Sequence, residues 1–255
     1  TYKEIHGVKV QYRDSDATAI EGDVWYNAST GLLKMYAVAG SWASGGNLNL
    51  ARQHLMGAGT QTAGLAGFGN ADSPVTFDTE TYDGSSWTEV ADGNTARYLI
   101  AGTGTQTAAL AIGGYTPDYR KIVELYNGTS WTEVGDLNME RYGAAACGIS
   151  TAAMASGGEF YPPGDRAVVE QYDGSSWTEV ADLNTVRNRA GGAGTTTAGL
   201  VYGGQSALDS TESWDGSSWT EVNDLNTGRQ NGGAAGTQTA AIWAGGGPAN
   251  TETWN

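Results

Sequence analysis

Short runs of small, apolar and alternating residues recur along this chain, each bounded by Gly, Asn or Asp. The stretch after Arg187 shows the pattern. A small-residue run at 190–193 leads through Thr195, Thr196 and Thr197 to an apolar run at 198–202, which Gly203 and Gly204 close. After a loop come an alternating run at 210–214, the pair Asp215-Gly216 and a last run at 219–222. Period-two alternation between turn residues predicts four short strands. Asp215-Gly216 reads as a hairpin turn whose central positions both take positive φ.

The pattern repeats in register. Trp42, Trp87, Trp131, Trp177 and Trp219 are spaced 45, 44, 46 and 42 residues apart. Arg52, Arg97, Arg141, Arg187 and Arg229 follow at a constant offset, and Gly59, Gly104, Gly148, Gly194 and Gly236 keep the same phase. Four-stranded units with a period in the forties are propeller blades, so the expected fold is all-β, a five-bladed β-propeller of four-stranded blades. Blades splay outward from an axis. This places the Ala/Gly runs innermost and the pairs Tyr82/Trp87, Tyr126/Trp131, Tyr172/Trp177 and Trp214/Trp219 outside, where the widening gap needs volume. Glu89, Glu133, Glu179 and Glu221 then lie on the outermost strand, where charge discourages edge pairing. The chain stops after a third-strand run ending at Trp254, and the run around Trp42 is left over. Pairing the two closes the ring, which predicts a leader over 1–37 and a propeller over 38–255.

Composition narrows the function. A net charge of −15 argues against nucleic acid, whose binding depends on Lys and Arg releasing phosphate counterions, and against an anionic membrane surface. No apolar run approaches the roughly 20 residues of a membrane span, and no signal peptide is visible. The first residue is Thr1 rather than Met, which reads as a processed chain or a piece of a longer one. The single Cys147 gives no internal disulfide and reads as a small buried residue.

Gly113-Gly114, Gly157-Gly158 and Gly203-Gly204, each followed by Tyr or Trp and then Trp, and Gly245-Gly246, followed by Trp254, resemble kelch repeats over residues 42–254. Phe68-Gly69-Asn70 replaces the double glycine in the first unit, and Tyr stands closer to Trp than in the usual kelch spacing, so the resemblance is kelch-like. A second resemblance lies in the leader. The run from Glu21 through Trp25-Tyr26-Asn27 to Gly31-Leu32-Leu33-Lys34 reads as a hairpin similar to those in tail and fibre proteins of marine bacteriophages. There such leaders precede Trp-rich repeats like Asp-Gly-Ser-Ser-Trp-Thr-Glu-Val. The near identity of 82–91 and 172–181 fits recent duplication. This resemblance implies a virion or extracellular location. The expected partners are other virion proteins, a host-surface glycan, or further copies of the chain in a homo-oligomer. A bacterial extracellular adhesin or lectin-like propeller is the alternative.

Two groups of candidate residues follow. Arg52, Arg97, Arg141, Arg187 and Arg229 form a quasi-symmetric ring that can hold an anion near the axis; alternatively, each bridges to neighbouring carbonyls or to Asp92, Asp136, Asp182 or Asp224. Asn49, Asn94, Asn138, Asn184 and Asn226, three residues before each Arg, read as turn formers. The loops after the second strand differ in every unit (70–77, 115–121, 159–166, 205–209 and 247–250) and are expected on one face. They bring Tyr115, Tyr119, Arg120, Phe160, Tyr161 and Arg166 into an aromatic and cationic patch across blades two and three, suited to sugar faces or protein contacts.

Catalysis is not expected, nor is a cofactor. The run 81–87 lacks one residue of the Asp-box turn of sialidase propellers and recurs in each complete unit. A glycosidase needs one uniquely placed carboxylate pair. His6 and His54 are too few for a copper oxidase site, and Asp14-Ser15-Asp16 lacks the remaining ligands of a Ca²⁺ loop. A glycan-processing enzyme is the weakest alternative.

Overall fold

The computed structural model describes residues 2–5, 8–13, 24–35, 44–71, 75–247 and 250–255. It divides into two compact units, Thr1–Ser44 and Gly45–Asn255. His6, Asp14-Ser15-Asp16 and Trp42 lie outside the described residues, as do parts of the loops 70–77 and 247–250. The expected closing strand around Trp42 therefore lies outside them too.

In the first unit Tyr2–Ile5 pairs antiparallel with Val8–Arg13, which runs parallel to Val24–Asn27. Val24–Asn27 and Leu32–Met35 form the expected hairpin. Its turn is held by Asn27, whose Oδ1 accepts from the Thr30 N–H at 2.9 Å, and Gly31 takes φ +68° there.

The second unit is a five-bladed β-propeller. Blade two runs Ala101–Thr105, Ala108–Ile112, Val123–Tyr126 and Trp131–Glu133, from the axis outward. Blade one (Met56–Thr60 to Trp87–Glu89), blade three (Ala145–Ile149 to Trp177–Glu179) and blade four (Gly191–Gly194 to Trp219–Val222) repeat it. Blade five has three described strands, Gly233–Thr237, Ala240–Ala244 and Thr251–Trp254. All pairings within blades are antiparallel.

The hydrophobic core lies between blades. One cluster joins Leu110, Ile112 and Val123 of blade two to Ala153, Ala155, Tyr172 and Trp177 of blade three, and its counterparts join blades one and two, three and four, and four and five. Small residues line the axis because nothing larger fits: a Cβ on Gly192 would stand 2.7 Å from the Ala146 carbonyl of the preceding blade. Farther out the four aromatic pairs pack with ring centroids 5.0 to 5.2 Å apart. Cys147 is buried, and burial pushes its thiol up to about 12.

The turns of Asp-Gly-Ser-Ser differ from expectation. Only the glycine has positive φ, as at Gly216 (φ +97°). The aspartate instead closes the turn with its side chain: Asp173 Oδ1 accepts from the N–H groups of Ser175 and Ser176 at 2.8 and 2.9 Å. Asn127 does the same in blade two, with both bonds at 2.9 Å.

The arginines also differ. They form no open axial ring. Arg52, Arg97, Arg141, Arg187 and Arg229 are each enclosed and paired with a third-strand glutamate of their own blade: Glu80, Glu124, Glu170, Glu212 and Glu252. Arg97 Nη1 lies 2.5 Å from Glu124 Oε1, and Arg187 Nη2 lies 2.6 Å from Glu212 Oε1. The other glutamate oxygen is taken by the asparagine. Asn94 donates to Glu124 Oε2 from its backbone N–H and its Nδ2, both at 2.7 Å, and from Nδ2 to the Trp131 carbonyl at 3.3 Å. The asparagines are thus clamp donors rather than turn formers. Burial lowers the pKa of Arg97, Arg141 and Arg187, and the adjacent glutamate opposes that shift. The guanidinium groups are spent on the scaffold and are not available to an anion.

Removing one partner of a buried pair strands the other charge, at a cost of about 3–5 kcal/mol. Glu124→Ala is expected to lower unfolding stability by about that much, while Arg97→Met with Glu124→Leu recovers most of it; urea denaturation of both variants is the check. The turn aspartates give a pH prediction. Hydrogen bonding to Ser176 and Ser175 depresses Asp173 to about 2, Asp215 is held likewise at about 2, and Asp83 is also lowered. Their contribution is complete above about pH 4, the unfolded-state value, and is lost as pH falls through about 2. Replacing all three with Asn, which blade two already carries, should flatten the fall in thermal midpoint between those pH values. An undiminished fall would remove the turns as its cause.

Candidate functional site

One face of the propeller is built from the residues that follow each clamp arginine. The next residue pairs with the variable loop of its own blade: Gln53 with Asn70, Tyr98 with Tyr115 and Tyr142 with Glu159. In blade four the Gln205 N–H donates to the Asn188 carbonyl at 2.9 Å, and in blade five the Gln230 N–H donates to that of Gly246 at 3.3 Å. The variable loops therefore share a face, as expected.

The second residue after each arginine is left-handed. His54, Leu99, Gly143, Arg189 and Asn231 have φ of 54, 54, 65, 54 and 58°. That conformation is uncommon outside Gly and Asn, and its repetition has a use. Leu99 N–H donates to the His54 carbonyl at 3.0 Å, Gly143 to Leu99 at 2.8 Å, Arg189 to Gly143 at 2.6 Å and Asn231 to Arg189 at 3.2 Å. A belt of four backbone hydrogen bonds thus links the five blades in order from His54 to Asn231, and the same five residues line a mouth of about 320 Å³. Below the mouth the bore is walled by small residues of all five innermost strands, Gly and Ala with Thr103 and Cys147.

Beside the mouth, over blades two and three, five tyrosines pack ring on ring. Tyr115 meets Tyr98, Tyr119 and Tyr142 edge-on at 5.6, 5.6 and 5.7 Å. Tyr119 stacks on Tyr142 at 5.4 Å and touches Tyr161 at 6.4 Å. Tyr161 is 70% exposed. Glu159 sits at the centre, accepting from Tyr119 Oη at 3.1 Å, from Tyr142 Oη and from Asn188 Nδ2 at 3.2 Å. Burial and that carboxylate raise the pKa of both phenols. Asp165 bridges to Glu159 along the loop backbone; burial and then Glu159 raise its pKa.

Of the predicted patch, Tyr115, Tyr119 and Tyr161 come together. Phe160 does not join them: it is 2% exposed and packs under Arg141, whose Cζ lies 4.6 Å from its ring. Its apolar ring serves as a lid on the clamp, as Phe68 does over Arg97 at 4.7 Å. Arg120 folds back on the Thr116 carbonyl at 3.0 Å, and Arg166 donates to the carbonyls of Asp165 and Pro162 at 3.1 and 3.2 Å. These two arginines brace their own loops. Tyr98, Tyr142, Glu159, Asp165 and Arg189 were not singled out from the sequence. The signal for three of them was present, in the residue types that vary one and two places after a constant arginine.

Among the described residues, no group of three or more His, Cys, Asp or Glu is placed to hold a metal ion, and no helix is long and apolar enough to cross a membrane. No family model matches the chain, and no curated protein matches it. Solved structures do match. One, titled "Structure of YjhT", superposes with a TM-score of 0.65 at 13% identity, covering 79% of this chain and 80% of that one. At that identity the likeness carries the propeller fold alone, and it takes neither the kelch nor the virion resemblance further.

Proposed function

We propose that this chain is a non-enzymatic recognition propeller, carried on a virion and directed at a host-surface glycan. The tyrosine cluster supports the recognition role: Tyr115, Tyr119 and Tyr161 lie on non-repeating loops, and the rings present apolar faces with polar edges. Such rings lose little conformational freedom on binding and suit the apolar face and hydroxyl rim of a sugar. The virion assignment rests on the leader hairpin and the Trp-rich repeats; capsid and tail genes beside this one would support it, and secretion genes would favour an adhesin. Tyr119→Ala and Tyr161→Ala are expected to weaken binding to a glycan array or host cells by about tenfold each, with the thermal midpoint nearly unchanged for exposed Tyr161. No binding to either, with ordered contacts to other virion proteins in a particle reconstruction, would assign a purely structural role.

A second reading follows from Glu159 and Asp165. A carboxyl group of raised pKa beside another carboxylate, in loops that do not repeat, is the pattern of an acid–base pair. It predicts hydrolysis of aryl glycosides that Asp165→Asn abolishes. A panel of such substrates left intact by the wild-type protein removes that reading.

A further inference from the structure

The residue that opens each variable loop in blades one to four pairs through its backbone near the clamp arginine. Its side chain is free to differ: Asn70, Tyr115 and Gln205 stand there in blades one, two and four, and Glu159 in blade three. The loop of blade three is closed without that side chain. Tyr142 N–H donates to the Glu159 carbonyl at 3.2 Å, Glu159 N–H to the Tyr142 carbonyl at 3.0 Å, and Arg166 N–H to the Gly158 carbonyl at 2.9 Å. A half-buried carboxylate that neither the repeat nor its own loop requires is left for another task.

The side chains around it define that task. Glu159 Oε1 accepts from Tyr119 Oη at 3.1 Å, and Oε2 accepts from Tyr142 Oη and, at 3.2 Å, from Asn188 Nδ2. Three of the roughly four acceptor sites of a carboxylate are thus filled. The donors come from three blades: Tyr119 from the variable loop of blade two, Tyr142 from the entry to blade three and Asn188 from the entry to blade four. Asn188 is fully buried and anchors the carboxylate to the scaffold. The two phenols lie on the other side, half-buried at the surface.

These bonds account for the parallel contact within the tyrosine cluster. Tyr115 meets Tyr98, Tyr119 and Tyr142 at 74, 84 and 82°, the usual edge-on preference of aromatic rings. Tyr119 and Tyr142 instead stack at 24°. Two hydroxyls drawn to one carboxylate bring their rings side by side. Burial, and then the bond to Glu159, raise the pKa of both phenols, so each keeps its proton in that bond at neutral pH. Rings held in this way before a ligand arrives lose less freedom on binding it.

We propose that Glu159 is the positioning residue of the recognition site, acting through Tyr119 and Tyr142 by fixing the pair as a ready-made platform for a sugar ring. This rests on the glycan reading above and assigns the residue that sets its geometry.

Glu159→Gln keeps the shape of the side chain but leaves one acceptor oxygen for three donors. It is compared with Tyr119→Phe/Tyr142→Phe, which keeps both rings without their hydroxyls, and with the triple variant, all in the full chain on a printed array of neutral and acidic oligosaccharides. Glu159→Gln and the double variant should each weaken binding about tenfold, and the triple variant should bind no worse than the double, because residues that act as one unit are not additive. The tyrosine Raman doublet, which reports phenols donating to a carboxylate, supplies a readout without ligand: Glu159→Gln should change it in the wild-type background and leave it unchanged in the double variant. Undiminished binding by Glu159→Gln, or an equal further loss in the triple variant, overturns the positioning role and leaves the glycan reading standing. Should Glu159→Gln not fold, the double variant decides, and undiminished binding by it overturns the proposal. Silence of the wild-type chain on the array removes the glycan reading, and the Raman comparison alone then judges whether Glu159 holds the pair.

Discussion

The buried ion pair between each entry-loop arginine and the third-strand glutamate is the interaction on which the rest of the propeller depends. It does three jobs with one carboxylate. Glu124 holds Arg97 with one oxygen and two donors of Asn94 with the other, so the chain arriving from blade one is fastened to blade two before the innermost strand begins. The arginine's own carbonyl is then offered to the preceding blade, where it accepts from the second residue of the glycine pair or from its counterpart Gly69: Gly69 to Arg97 at 3.0 Å, Gly114 to Arg141 at 2.9 Å. Side chain ties within a blade and backbone ties between blades, at the same residue. A pair of charges taken out of water gains little net stability over apolar packing. Here it fixes the register of strands whose Ala and Gly side chains specify little by themselves.

Much of this was legible in the chain. Three markers in phase over five copies gave the blade number, and the gradient from Ala and Gly to Tyr and Trp gave the radial order of strands. The clamp was half legible. Arg and Asn stood out because they recur at a constant offset within one segment, whereas Glu80, Glu124, Glu170, Glu212 and Glu252 lie 23 to 29 residues further on, across loops of unequal length. Variable loop length blurs a periodic signal without altering the contact. The turn aspartates were misread for a different reason: Asp-Gly suggests backbone strain at both residues, but the carboxylate oxygen supplies the bonds that let only the glycine turn.

The candidate site was less legible, because two kinds of residue share the same loops. Phe160 and Tyr161 are adjacent, yet one is a lid over Arg141 and the other is exposed. Composition cannot separate them; only the position of the clamp beneath does. Arg120 and Arg166 were equally ambiguous, since a loop arginine reaches a ligand or its own carbonyls with the same chemistry. Arg189 was hidden by standing two residues from Arg187, whose periodicity drew the eye.

The left-handed belt around the mouth separates architecture from identity at five places. Its bonds run from backbone to backbone, so the belt is indifferent to which side chain each position carries, and it already tolerates imidazole, isobutyl, hydrogen, guanidinium and amide. A duplicated repeat arrives with such a link in place. The chemistry presented at the axis can then be rewritten one blade at a time, by single codon changes that leave strands and clamps untouched. A surface that must follow a changing counterpart gains from that arrangement, because exploring new combinations at its centre does not put the ring itself at risk.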